Sequence, residues 1–233
     1  MYKLILIDAD NTLFDYDKAE SFALQSSLKD FGVIKNLEQI QKDYRAINQA
    51  MWQLLEKGQI TKDALSLERF NILFKKYTLT IPAKAFSQSY LSYLGQSAFL
   101  IKDAERIIKY LYENYTVIIV TNGIKTVQYS RLEKSPIKDY HHGMVVSEDI
   151  GVSKPDPTFF EHALTLANHR DKKSVLIIGD SLSSDIQGGI NFGIDTCWFN
   201  DRHSEPEWPI LPTYQIHALK EIVPILSADK KRC

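Results

Sequence analysis

Polar side chains follow three apolar stretches of the sequence. They are Asp8 and Asp10, then Thr121 and Asn122, then Asp180 and Asp185. Carboxylates gathered in a partly desolvated cleft raise one another's pKa values, so such a group needs a cation to stay ionised. Hard carboxylate oxygens without a nearby set of histidine or thiolate ligands favour Mg²⁺ over zinc or copper. Lys154, which precedes a proline-braced turn, is a second source of positive charge.

The elements that would bring these groups together are parallel β-strands. Residues 4–7 are four consecutive large aliphatic residues, a pattern typical of a strand buried on both faces. Residues 116–120 and 175–178 have the same character, while 144–146 and 196–199 are weaker strand candidates. Helical segments alternate with these strands, which predicts a doubly wound α/β domain with a parallel sheet. Parallel strands end at one edge, so their polar groups can converge although they are far apart in sequence.

An all-helical pattern over residues 15–97 interrupts this alternation. Apolar residues recur there at steps of three and four, as on helices that pack against other helices. Asp17 and Glu20 have the spacing of a capping box at the first of these helices. We therefore predict an α/β core from residues 1–14 and 98–233, and an inserted helical unit from residues 15–97.

Composition and charge point to a soluble protein that handles small molecules. The net charge of -1 over 233 residues gives no long-range attraction to a nucleic-acid polymer or an anionic membrane surface. Cys197 and Cys233 stand far apart, and no apolar run resembles a secretory signal or a transmembrane helix. We therefore expect a cytoplasmic protein. A tyrosine-rich surface and Trp208 leave both a monomer and a weak homo-oligomer open.

Each polar group by itself also fits a structural role, because polar turns commonly follow strands and acids commonly cap helices. Their order and placement in one α/β frame carry more information. Together they resemble the motifs of the haloacid dehalogenase superfamily of phosphatases, and the resemblance covers nearly the whole chain. The matching motifs are Asp8-Ala-Asp10-Asn-Thr12, Thr121-Asn122-Gly123, Lys154-Pro155, and Gly179-Asp180 through Asp185.

This resemblance implies a Rossmann-like core with an inserted cap, and a Mg²⁺-dependent phosphomonoester hydrolase that works through an aspartyl-phosphate. Asp8 would be the nucleophile, and Asp10 would protonate the leaving oxygen and then activate water. Thr121 would hold the phosphoryl oxygens and Lys154 would offset their charge. True dehalogenases of the superfamily lack the acid at Asp10, because a halide leaving group needs no proton.

The resemblance also implies the remaining residues of the site. Thr12, which would order the first loop, and Asn122 are expected among the substrate-binding residues. Asp185 would bind the metal directly or through water. The implied Mg²⁺ ligands are Asp8, the main-chain carbonyl of Asp10, Asp180 and Asp185.

The substrate is expected to be a small phosphorylated metabolite. Segments of residues 43–58, the pair Arg69-Phe70 and residues 147–152 are similar to the bacterial pyrimidine 5′-nucleotidase subfamily. This similarity implies a nucleoside monophosphate as substrate, including noncanonical ones. Trp52 could then stack on the base, and Asn48 or Arg69 could bind base or sugar oxygens. Trp52 could equally pack inside the helical unit. A sugar-phosphate or phosphoglycolate-type phosphatase, a phosphomutase and a non-catalytic binding protein remain as alternatives.

Overall fold

The computed structural model describes residues 1–205 and 210–230. Trp208 and Cys233 lie outside the described residues. The chain forms two compact units, Met1–Tyr16 with Ala98–Cys233 and Asp17–Ser97. The first unit is an α/β domain and the second consists of helices.

Six parallel strands form the sheet of the first unit, in the order β3-β2-β1-β4-β5-β6. Central strand β1 lies between β2 and β4, and its residue Asp8 is in register with Val120. The predicted doubly wound parallel sheet is confirmed. Strand β6 is not predicted, because three residues are too few to show a period. The strands are β1 (Leu4–Asp8), β2 (Thr116–Thr121), β3 (Gly143–Val146), β4 (Val175–Gly179), β5 (Asp195–Phe199) and β6 (Tyr214–Ile216).

Helices cover both faces of this sheet. Alternate residues of β1 point to opposite faces, so Ile5 and Ile7 pack in one core layer while Leu4 and Leu6 pack in the other. The helices of this unit are α5 (Ala104–Asn114), α6 (Lys125–Glu133), α7 (Ser147–Ile150), α8 (Pro157–Leu166), α9 (Gln187–Phe192) and α10 (Ile222–Lys230). A π-helical turn, Leu182–Ile186, precedes α9.

The helical unit contains four helices around an aromatic core. These are α1 (Tyr16–Asp30), α2 (Leu37–Glu56), α3 (Lys62–Tyr77) and α4 (Ala83–Gln96). Phe70 of α3 lies 5.5 Å from the ring of Tyr44, 4.9 Å from that of Phe86 and 5.2 Å from that of Tyr90. These centroid separations are those of favourable aromatic pairs, so one cluster joins three of the helices.

The predicted capping box at the first helix is wrong. Helix α1 begins at Tyr16, so Asp17 lies inside its first turn rather than at the cap. The Glu20 carboxylate instead accepts a hydrogen bond from Asn48 of α2. Within residues 1–205 and 210–230, no helix is both long enough and apolar enough to cross a membrane.

Candidate active site

Asp8 and Lys154 form a buried ion pair at the carboxyl end of β1. The Asp8 side chain is 9% exposed, and Lys154 Nζ donates to its Oδ1 at 2.6 Å. The same ammonium donates to Asp185 Oδ1 at 2.7 Å and to the carbonyl oxygen of Val120 at 3.1 Å. An ammonium group has three N–H donors, so protein acceptors hold all of them. Lys154 is therefore a fixed positive charge that also orients Asp8.

Asn122 fixes the backbone from which Lys154 projects. Its amide Nδ2 donates to the carbonyl oxygen of Lys154 at 2.8 Å, and its Oδ1 accepts from the backbone N–H of Lys154 at 2.9 Å. This paired contact ties the turn after β2 to the segment before α8. Asn122 thus positions Lys154 through main-chain atoms.

The π-helical turn after β4 carries Asp185 into the site. Its Oδ2 accepts from the backbone N–H of Ser181 at 3.1 Å, while Oδ1 faces Lys154. The carboxylate lies close against Gly179, where a Cβ atom would come within 2.2 Å of Oδ2. Only glycine leaves room for Asp185 at this point, because any other residue would place that Cβ inside the carboxylate.

Asp180 completes a group of three carboxylates. Thr12 Oγ1 donates to its Oδ1 at 3.5 Å, and its main-chain carbonyl accepts from Trp198 Nε1 at 2.9 Å. One oxygen from each of Asp8, Asp180 and Asp185 lies within 4.8 Å of the other two. The structure therefore brings together three acids and the lysine that the sequence places on separate segments.

Burial and neighbouring charges raise the pKa values of Asp8 and Asp180. Burial raises the pKa of Asp8 to about 7, a rise that Lys154 opposes and that the charges of Asp185 and Asp10 increase. Burial and the charges of Asp8 and Asp185 also raise the pKa of Asp180 well above its ordinary range. Burial alone would lower the pKa of Lys154, but the charges of Asp185 and Asp8 outweigh this effect and raise it.

This donor set fits a hard divalent cation. Three carboxylates lie beside one ammonium, so a cation bound among them would offset the remaining negative charge. Clustered carboxylate oxygens are the ligands that Mg²⁺ and Ca²⁺ take in proteins. Asp8, Asp180 and Asp185 could hold such an ion.

Thr121 and Asp10 border this cluster. The Thr121 hydroxyl belongs to a residue that is 1% exposed. It accepts from the backbone N–H of Gly123 at 3.0 Å and still carries its own hydrogen to donate.

Asp10 Oδ2 accepts from Gln128 Nε2 at 2.6 Å, and Asp10 Oδ1 pairs with Arg131 Nη2. Gln128 and Arg131 are not among the site residues predicted from the sequence. The structure shows that both are buried on one face of α6, which their residue types and spacing alone do not reveal.

The three residues predicted in the helical unit do not share one environment. Asn48 and Arg69 are 4% and 0% exposed, and Arg69 Nη1 donates to Asn48 Oδ1 at 3.0 Å. Asn48 Nδ2 in turn donates to Glu20 Oε1 at 2.7 Å. Trp52 is one turn beyond Asn48 on α2 and is only partly buried. Substrate contact by these residues stays a prediction.

The α/β fold and this cluster at its sheet edge define a hydrolase of the haloacid dehalogenase type. The family model of haloacid dehalogenase-like hydrolases matches residues 5–199. The chain belongs to this family.

Three similar proteins match this chain over nearly their whole length. The chain is 35% identical to the pyrimidine 5′-nucleotidase PynA of Streptococcus pneumoniae over 98% of its length and 96% of that protein. It is 33% identical to the pyrimidine 5′-nucleotidase YjjG of Escherichia coli, over 95% and 96% of the two chains. The magnesium-bound crystal structure of the HAD-hydrolase YfnB from Bacillus subtilis matches with a TM-score of 0.91 and 34% identity, covering 97% of this chain and 98% of that one.

Proposed function

We propose that this protein is a Mg²⁺-dependent phosphomonoester hydrolase that forms an aspartyl-phosphate on Asp8. The observation that carries the proposal is the buried Asp8 carboxylate at the end of the central strand. It is hydrogen-bonded to Lys154 and lies beside Asp180 and Asp185. An oriented carboxylate in such a setting is a nucleophile that splits one difficult displacement into two easier ones.

In the first step, a carboxylate oxygen of Asp8 attacks phosphorus in line with the leaving oxygen. The bond from phosphorus to that oxygen breaks, and its electron pair goes to the leaving oxygen. Asp10 donates a proton there, so the product leaves as an alcohol. The charge of Lys154 stabilises the phosphoryl oxygens, and the Thr121 hydroxyl donates a hydrogen bond to one of them.

In the second step, the ionised Asp10 takes a proton from water as the water oxygen attacks phosphorus. The bond from phosphorus to Asp8 breaks, and inorganic phosphate is released. Asp10 is thereby protonated again and Asp8 is returned as a carboxylate, so both residues are ready for another turnover. Thr12 orders the loop through its contact with Asp180, and Asn122 holds the Lys154 backbone.

Asp8, Asp180 and Asp185, together with the main-chain carbonyl of Asp10, would hold the Mg²⁺. When bound, this ion neutralises charge on the phosphoryl oxygens and on the acids that surround them. The mutual proximity of these three carboxylates, each with an oxygen within 4.8 Å of the other two, supports this assignment. Magnesium in the similar YfnB structure supports it independently.

We propose pyrimidine nucleoside 5′-monophosphates as substrates. Support comes from the similarity to PynA and YjjG, which extends through the helical unit as well as the α/β unit. Trp52 is the predicted substrate contact with part of its side chain exposed, so we assign it the base-stacking role. We also propose a cytoplasmic location and a monomer or weak homo-oligomer. Cys197, the one cysteine among the described residues, is buried and forms no disulfide there, which is compatible with a reducing compartment.

The test is phosphate release from pyrimidine and purine nucleoside monophosphates, sugar phosphates and phosphoglycolate in the presence of Mg²⁺. The matched control is Asp8→Asn, whose amide oxygen can still accept from Lys154 but is not a nucleophile. We expect preference for the pyrimidine esters, and turnover by the control at least about 10³-fold lower. Release from other esters alone would refute the substrate class. Absence of release, or normal turnover by Asp8→Asn, would refute the mechanism.

A further inference from the structure

Gln128 and Arg131 of α6 bind the two carboxylate oxygens of Asp10, one each. Residues three apart on a helix lie on the same face, and this face meets the loop after β1. Arg131 Nη2 also donates to Gln128 Oε1 at 2.9 Å, so the three side chains form a closed network. We call Gln128 and Arg131 the Asp10 clamp. With both of its oxygens engaged, the carboxylate cannot turn without breaking a hydrogen bond.

A glycine makes room for the clamp. A Cβ atom at Gly123 would come within 2.0 Å of Gln128 Nε2 and 3.0 Å of Asp10 Oδ2. The hydrogen bond between Gln128 and Asp10 thus passes through the space that any other side chain at position 123 would fill. The turn that presents Thr121 to the site therefore also lets α6 reach Asp10.

Arg131 is completely buried, whereas the Asp10 side chain is 26% exposed. A buried guanidinium is strongly unfavourable unless an anion and further contacts compensate it. Within residues 1–205 and 210–230, Asp10 is the only carboxylate paired with Arg131. The guanidinium carbon also lies 4.5 Å from the centroid of the Phe14 ring, a cation–π contact. The Asp10 clamp is therefore buried at Arg131, and it holds a carboxylate that remains partly exposed.

We propose that Gln128 and Arg131 are positioning residues that hold Asp10 for proton transfer to the leaving oxygen. This inference rests on the proposed function. A general acid works only when its oxygen lies within hydrogen-bond reach of the group that it protonates. Because the clamp orders the Asp10 side chain during folding, less ordering remains for the transition state. The contribution of the Asp10 clamp to the rate should therefore be larger for substrates whose leaving oxygen must be protonated.

The test compares two esters in Gln128→Leu, which removes the hydrogen bonds of Gln128 with little change in side-chain size. One ester is the alkyl phosphate that the unaltered protein hydrolyses best, whose alkoxide leaving group needs a proton. The other is p-nitrophenyl phosphate, whose leaving group departs without one. We expect kcat to fall about 30-fold on the alkyl ester and less than about threefold on the aryl ester. Equal losses, or no loss on either ester, would overturn the inference.

Two further variants separate positioning from structural damage. Tyr129→Phe, a neighbour on α6 whose hydroxyl donates to Asp149 at 2.9 Å, should leave the ratio of the two rates unchanged. In an Asp10→Asn background, Gln128→Leu should no longer alter that ratio, because the clamp acts through Asp10. A ratio that still changes in this background would overturn the inference.

A rescue experiment covers the case in which Gln128→Leu does not fold. Arg131→Ala should lose alkyl-ester turnover. Added guanidinium ion should raise the alkyl-ester turnover of this variant at least about tenfold, and should raise its aryl-ester turnover less. Equal rescue of both esters, or no rescue, would overturn the inference. If the unaltered protein hydrolyses neither ester, the proposed function fails first and the inference falls with it.

Discussion

The buried carboxyl group of Glu20 should make the stability of the helical unit depend on pH. Glu20 is 4% exposed, and burial raises its pKa from an ordinary 4.5 to about 7. The hydrogen bond from Asn48 and the charges of Arg45 and Arg69 oppose this rise. Desolvation therefore outweighs the attraction of the two arginines.

Whether stability rises or falls with pH depends on which state, folded or unfolded, binds the Glu20 proton more tightly. The folded protein holds the Glu20 proton more strongly than the unfolded chain does, so protonation stabilises the fold. This stabilisation is complete below the unfolded pKa of 4.5 and is lost as pH rises through about 7. The difference between the two pKa values corresponds to about 3 kcal/mol of unfolding free energy, of which about 2 kcal/mol is lost between about pH 5.5 and pH 8.

Glu20→Gln is the perturbation, because a glutamine can still accept from Asn48 but cannot ionise. We expect the free energy of unfolding of the variant, relative to that of the unaltered protein, to rise by about 2 kcal/mol between about pH 5.5 and pH 8. Urea denaturation at each pH measures this difference. Glu68→Gln is the control, since Glu68 is an exposed residue of α3. Its stability relative to the unaltered protein should vary by less than about 0.5 kcal/mol over the same range.

Two results would refute this reasoning. If the difference between Glu20→Gln and the unaltered protein does not change with pH, Glu20 ionises as easily in the fold as in water. If the unaltered protein instead becomes more stable relative to the variant as pH rises, the attraction of Glu20 to Arg45 and Arg69 exceeds the cost of desolvating its carboxylate.

Three further expectations concern the α/β site. Lys154→Met leaves the carboxylates of Asp8 and Asp185 without their shared ammonium. The metal-free variant should therefore have an unfolding free energy about 3–5 kcal/mol lower than that of the unaltered protein, and an unchanged denaturation midpoint would contradict this. Chelation by EDTA should abolish phosphate release and Mg²⁺ should restore it, whereas full activity in EDTA would disprove the metal assignment. Gly179→Ala places a Cβ 2.2 Å from Asp185 Oδ2, so turnover should fall at least about tenfold. The control is Gly143→Ala, whose Cβ would meet apolar side-chain atoms of Leu166 at 2.8 Å and of Ile118 at 3.4 Å. It should keep near-normal turnover.

Local patterns in the sequence were enough to predict the framework of the α/β unit. Four aliphatic residues before Asp8 mark a doubly buried strand, since only a strand with sheet neighbours and helices on both faces buries every side chain. Once strands are parallel, Asp8, Asp180 and Lys154 must approach one edge. The short strand Tyr214–Ile216 escaped prediction, because its three residues carry no period and it pairs with β5 only through the fold.

The capping box shows the limit of local spacing in the helical unit. Asp17 and Glu20 have the right separation, but Glu20 is turned inward to Asn48 instead of back to the start of its own helix. Asn48 and Arg69 are likewise partners of each other across α2 and α3. Helical periodicity predicts which face is buried, but it does not say which polar group on another helix will satisfy a buried side chain.

Short stretches of neighbouring residues were sufficient to predict strands β1 to β5, the acids at the strand ends and the lysine before α8. The partners of these side chains depend on the tertiary structure. Lys154 shares its three donors among Asp8, Asp185 and Val120, and Gln128 reaches Asp10 across 118 positions of sequence. Such contacts form only when packing brings distant segments together, because buried polar groups must then find partners within the protein.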